Sequence, residues 1–150
     1  MMSLSDLLSI ALQIESTGYG FYTNLASMQT NEKLKNFFAK LADQEREHQK
    51  IFKELIGKVE QKIGGLSSWI EEETVGYLKS LAEVSIFPSL EKMKQNLSMQ
   101  EALDLAINVE KDSIIFYSEL IPYAADEVET IKKIINEEKR HLLDLLSTNL

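Results

Sequence analysis

The chain has 150 residues and a mass of 17.1 kDa, with 44% hydrophobic and 27% charged residues, the balance of one ordinary globular domain rather than of a disordered chain. Cysteine is absent, which excludes a disulfide framework, a zinc ribbon, an iron–sulfur cluster and a thiol nucleophile. A formal net charge of -8 opposes binding to nucleic acid or to a membrane surface, and no run approaches the ~20 apolar residues of a membrane span.

Helical periodicity dominates, and few breakers interrupt it (Gly 6, Pro 2). The first segment runs from about Ser3 to Met28, with Leu4, Leu8, Ala11, Glu15, Gly18, Tyr22 and Leu25 on one face and Ser3 with Asp6 as its cap. The second runs from about Asn31 to Ile56, with Leu34, Phe37/Phe38, Leu41, Glu45, His48, Phe52 and Leu55 on its face, and Gly57 at its end. The short gap between them predicts an antiparallel pair. Residues 58–97 read as a crossover. Gly64-Gly65 and Pro88 break its pattern, and a Ser68/Glu71 capping box opens a short helix through about Glu83.

The third segment starts at Ser98 with a capping box to Glu101. It presents Leu103, Ala106/Ile107, Glu110, Ser113/Ile114, Tyr117 and Ile121, and ends at Pro122. The fourth runs from about Asp126 to Ser147, presenting Val128, Ile131, Ile134/Ile135, Glu138, His141/Leu142 and Leu145. The expectation is a single all-α domain over residues 1–150. It is a four-helix bundle of two antiparallel hairpins joined by a long crossover that lets helices two and three run parallel.

The two hairpins resemble each other. Ala11–Leu25 and Ala106–Leu120 share Ala, Glu, Phe, Tyr and Leu at an offset of 95, and Glu45–His48 (E-R-E-H) matches Glu138–His141 (E-K-R-H) at an offset of 93. Each half thus carries one lone Glu and one Glu-x-x-His on an apolar face. A single such motif is commonplace on an exposed helix. Four glutamates and both histidines at matching places in a repeat need a shared cause, because a buried carboxylate is costly unless compensated. Two divalent cations would balance the four negative charges, and i, i+3 spacing lets the Glu and His of each motif reach one centre. The pattern matches that of di-iron and di-manganese carboxylate bundles. Iron or manganese suits these ligands, and ligand type alone does not exclude zinc.

Tyr22 and Tyr117 lie seven residues after Glu15 and Glu110, on the same faces. Each is either a hydroxyl that holds a ligand carboxylate and stands near the metals in redox steps, or a core aromatic whose hydroxyl finds any partner. Arg46 and Arg140, the only arginines, should point away from the centre into surface ion pairs. Trp69 should pack over the bundle or at a dimer contact, and Glu71-Glu72-Glu73 should be a solvated helix start.

On these motifs the chain resembles the rubrerythrin-type members of the ferritin-like di-iron superfamily over about Ser3 to Leu146. The resemblance implies Glu15, Glu45, His48, Glu110, Glu138 and His141 as ligands of two iron ions, with one glutamate from each half bridging them. It also implies reduction of peroxide or dioxygen, or else ferroxidase and iron-handling chemistry with ferrous iron as substrate, and a homodimer. Three departures bear on this. The family's extra glutamate, three residues after the lone Glu of the third helix and linked to peroxidase chemistry, is Ser113 here, with Gly18 as its counterpart. Without the cysteines of a rubredoxin domain, electrons must come from a separate donor such as rubredoxin. Storage cages usually add a fifth short helix after the fourth, whereas this sequence runs only to Leu150. The N-terminal residues lack a signal-peptide pattern, so cytoplasm is the expected location.

Overall fold

In the computed structural model, residues 2–61 and 70–148 are described. Four long helices make the bundle: α1 (Leu4–Ser27), α2 (Glu32–Gln61), α5 (Met99–Leu120) and α6 (Val128–Leu146). Between the hairpins, the crossover carries α3 (Glu72–Leu81) and α4 (Phe87–Lys92), joined by a π-helical segment, Ala82–Ile86. Helix α1 packs along α2, α5 packs against α6, and the halves meet through α1 and α5. None of the described helices is long and apolar enough to cross a membrane.

The sequence places the helix starts where they occur. Ser3 with Asp6, and Ser98 with Glu101, form reciprocal capping boxes. Asn31 Oδ1 accepts from the Lys33 and Leu34 amides at 2.9 and 3.1 Å and so caps α2. The α5–α6 turn passes through short 3-10 turns around Pro122, with Ala125 at φ 48 reversing the chain. The predicted faces are the buried ones at nearly every position. Leu34, Phe37, Ile107, Ile114, Ile121, Val128 and Leu142 are half-buried at the margins.

Three expectations are corrected. Helix α2 does not stop at Gly57 but continues to Gln61, because Val59 is buried against the core and its packing outweighs the low helix propensity of glycine. Nothing lies within 4 Å of the position a Gly57 Cβ would take. Gly57→Ala is therefore expected to raise stability by about 0.5–1 kcal/mol. A lowered melting temperature for this variant would contradict a continuous helix there.

Pro88 does not break the crossover helix, which runs unbroken from Glu72 to Lys92. The Phe87 amide reaches back to the Ala82 carbonyl, the wider π register, immediately before the proline that has no amide to give. The buried stripe Leu78, Ala82, Ile86 and Leu90 repeats every four residues. A pure α-helix would carry such a stripe around its axis, and the wide turn brings it back onto the bundle. Ser85 Oγ also donates to Asp112 of α5.

Finally, Glu71 is the N-cap of α3, without a side-chain cap bond, rather than the third residue of a box opened by Ser68. Ser68, Gly64-Gly65 and Trp69 lie outside the described residues. Glu71, Glu72 and Glu73 are exposed, as expected of a solvated helix start.

Candidate metal centre

The bundle interior brings all six expected ligands together. Glu15 comes from α1, Glu45 and His48 from α2, Glu110 from α5, and Glu138 and His141 from α6. Each is at most 3% exposed. Their ligand atoms form two overlapping groups, Glu15–Glu45–His48–Glu138 and Glu45–Glu110–Glu138–His141, each with one donor atom per residue all within 4.8 Å of one another. Glu45 and Glu138 belong to both groups. Sequence alone did not settle which glutamates would be shared, and here they are the glutamates of the two Glu-x-x-His motifs.

The imidazoles of His48 and His141 stack with their centroids 6.0 Å apart. His48 Nδ1 lies 2.8 Å from Glu138 Oε1 and 3.3 Å from Glu15 Oε1. His141 Nδ1 lies 3.6 to 3.9 Å from Glu138, Glu45 and Glu110. Both Nδ1 atoms thus face the carboxylates, and both Nε2 atoms face outward.

Tyr22 donates to Glu110 Oε1 at 2.9 Å, and Tyr117 donates to Glu15 Oε1 at 3.0 Å. Each hydroxyl therefore crosses to the lone glutamate of the other half. Of the two readings open from sequence, this is the one in which the hydroxyl holds a centre carboxylate. Burial, then the charge of the adjacent carboxylate, pushes both phenols well above their ordinary range, so they stay protonated and serve as donors.

Two residues at the centre escaped the sequence reading. His48 Nε2 lies 2.8 Å from Glu137 Oε2, and His141 Nε2 contacts Gln44 Oε1. Gln44 and Glu137 immediately precede the two motif glutamates, at the same offset of 93. That repeat position was the available signal. Arg46 is exposed and pairs with Asp43 at 3.5 Å, as expected, whereas Arg140 points to solvent without an ion-pair partner among the described residues.

Gly18 explains how Glu45 fits. A Cβ there would come within 3.2 Å of Glu45 Oε2, so the carboxylate lies against bare α1 backbone. Ser113 turns its hydroxyl to the Val109 carbonyl at 2.7 Å rather than into the centre. A cavity of about 10 Å³ lies beside Gly18, Glu45, Glu110, Ser113 and Glu138, with Met93 of the crossover on its wall. That is room for about one water-sized molecule.

The residues fit a pair of cations. Glu15 Oε2, Glu110 Oε2 and His141 Nδ1 are buried without a hydrogen-bond partner, and Glu138 Oε1 has only the 2.8 Å contact to His48 Nδ1. Each unpartnered atom costs about 1–3 kcal/mol unless something satisfies it, and three around one centre share a common remedy in metal ions.

Without metal, protons carry out the compensation. Burial, and then the charge of Glu138, raises Glu15 from its ordinary 4.5 to about 8, and the same two causes hold Glu110 well above the carboxylate range. Burial opposes charge on Glu138 and His48 too, but their hydrogen-bonding partners win. Glu138, held by the neighbouring Glu110, His141 and His48, stays well below the carboxylate range. His48, bonded to Glu138 and Glu15, rises from 6.5 to about 11.

Glu15, Glu110 and His48 thus hold protons at neutral pH that a metal must displace. Uptake of two divalent ions near pH 7 is expected to release about three protons per chain, measurable by titration in buffers of different ionisation enthalpy. Uptake without proton release would contradict the arrangement. Between pH 4.5 and about 8 the folded metal-free protein holds protons on Glu15 that the unfolded chain has lost, and from 6.5 to about 11 the same is true of His48. The stability that Glu15 and His48 contribute to the metal-free form is therefore fully present below these windows and falls as pH rises through them. That from Glu138, whose pKa is lowered, is instead lost as pH falls below 4.5.

Comparison with known proteins agrees with this geometry. A family model described as Rubrerythrin matches residues 6–148. The fold is similar to the crystal structure of a protein from Thermotoga maritima described as ferritin-like and diiron-carboxylate. The TM-score is 0.72 and the identity 34%, over 97% of this chain and 93% of that one. No curated protein matches the chain.

Proposed function

The chain belongs to the rubrerythrin family, and from that premise we propose that it is a non-haem di-iron oxidoreductase that reduces peroxide or dioxygen. Glu15, Glu45, His48, Glu110, Glu138 and His141 would hold the two iron ions. The observation that carries this reading is a buried, doubly built carboxylate–imidazole cluster with unsatisfied donor atoms, opening onto a cavity of about 10 Å³. Such a cavity has room for about one water-sized molecule and excludes an organic substrate.

When bound, the ions would supply the electrons for reduction and the positive charge that polarises the oxidant. The residues do the rest. Glu45 and Glu138, common to both groups, fix the spacing of the two positions. Tyr22 and Tyr117 keep Glu110 and Glu15 oriented and hold protons against the carboxylates. Ile14, Val109 and Met93, all buried, line the cavity beside the carboxylates and exclude bulk water. These 150 residues hold no cysteine for an electron-transfer iron, and the proposed electron donor is a protein such as rubredoxin.

One observation favours a second reading, a ferroxidase or iron-handling protein with ferrous iron as the substrate. Neither Gly18 nor Ser113 supplies the additional carboxylate linked to peroxidase chemistry. The test is anaerobic loading with two Fe(II) per chain, then separate mixing with peroxide and with dioxygen while ferric absorbance is followed. Rapid ferric formation, sustained with a reductant, is expected. Oxidised iron leaving the centre or mineralising beyond two per chain would favour the second reading. The absence of any ferric signal would overturn both.

A further inference from the structure

The centre is built twice in one chain, so each half is a control for the other. Glu15 matches Glu110, Glu45 matches Glu138, and His48 matches His141. The tyrosine bonds are alike, 3.0 Å to Glu15 and 2.9 Å to Glu110. The symmetry fails behind the imidazoles. The outward Nε2 of His48 is held by a carboxylate, Glu137 Oε2 at 2.8 Å, whereas that of His141 is held by a neutral amide, Gln44 Oε1. Among the described residues, no lysine or arginine nitrogen lies within 4.0 Å of the Glu137 carboxylate, so its charge is spent on His48. The Gly18/Ser113 difference bonds to neither imidazole.

An Nε2–H donated to either oxygen leaves Nδ1 free to face the centre, so both partners set the tautomer. Only Glu137 adds a negative charge. A carboxylate behind a ligand histidine makes that imidazole the stronger donor to a cation at Nδ1. A partner behind a ligand histidine typically changes metal affinity 10–100-fold.

Taking the dinuclear reading above as given, we infer that Glu137 makes the two metal positions unequal, so that a divalent ion fills the His48 position before the His141 position. Glu137 and Gln44 are positioning residues. They touch no metal and act through the imidazole that each one holds.

The test uses Mn(II) alone on the full metal-free chain, without oxygen. At one equivalent, anomalous diffraction is expected to place manganese beside His48 Nδ1. Glu137→Gln, which keeps the hydrogen bond and removes the charge, should weaken the first binding step by about 10-fold or more. The swap Gln44→Glu with Glu137→Gln should restore the tight first step and move the single manganese to His141. A merely structural role for Glu137 would not move the ion in that way. Manganese spread evenly between the positions, or unmoved by the swap, would overturn the inference while leaving the dinuclear centre standing. Failure of the unmodified chain to take up two Mn(II) would overturn the centre itself.

Discussion

Glu138→Gln is expected to cost the protein both metal ions, whereas Glu15→Gln should cost it one. The two donor groups overlap at Glu45 and Glu138, and Glu15 and Glu110 belong to one group each. Neutralising a shared carboxylate removes an anionic ligand from both positions and leaves two like charges facing each other with less between them. The loss of affinity should exceed the ~100-fold upper range seen when a merely supporting residue is removed. Glu138 also carries the charge that holds His48, so its replacement puts the metal-free fold at risk. Glu45→Gln, with only a 3.7 Å contact to His141, is the safer companion and should give the same double loss. Metal content after desalting is the readout: two ions per chain in the unmodified protein, near zero in the Glu45 and Glu138 variants, and near one for Glu15→Gln or Glu110→Gln. One ion remaining in every variant would mean that the positions do not share these carboxylates.

Metal removal is expected to lower the melting temperature by roughly 15–30 °C. With free ion at about 1,000 times its dissociation constant, each site adds ~4 kcal/mol, so two sites add about 8 kcal/mol. In a domain of this length each kcal/mol moves the midpoint by about 2–4 °C. The physical source is the cluster itself, with four carboxylates and two imidazoles in the core and three of their atoms unsatisfied without an ion. The drop should be larger at about pH 8.5 than at about pH 5.5, because protons on Glu15 and Glu110 partly replace the metal at the lower pH. A shift below about 5 °C at both pH values would mean that ions contribute little to this interior.

Much of the site was legible because a helix face is a one-dimensional pattern. Glu15 and Glu110 stand in stripes whose neighbours at i−4 and i+3 are buried and those at i−3 and i+4 half-buried, and the repeat raised six polar residues above coincidence. The two tyrosines were legible for the same reason. Distances between helices were not: sequence shows that Glu45 and Glu138 face inward, not that they serve both groups. Glu137 and Gln44 stood one residue off the stripe, half-buried at its margin, where sequence reasoning expects solvated side chains. Gly57 and Pro88 were misread because local propensity favours an end at each. Burial of Val59 carries α2 past the first, and a π turn removes the hydrogen-bonding conflict at the second.

The most direct measurement is electron paramagnetic resonance of the chain loaded anaerobically with Mn(II). Glu45 and Glu138 shared between two positions should hold the ions close enough to couple, so two Mn(II) per chain should give the broad signal of an exchange-coupled pair. The same signal should vanish in Glu45→Gln. An isolated six-line spectrum, or saturation at one ion per chain, would contradict a dinuclear centre at these residues.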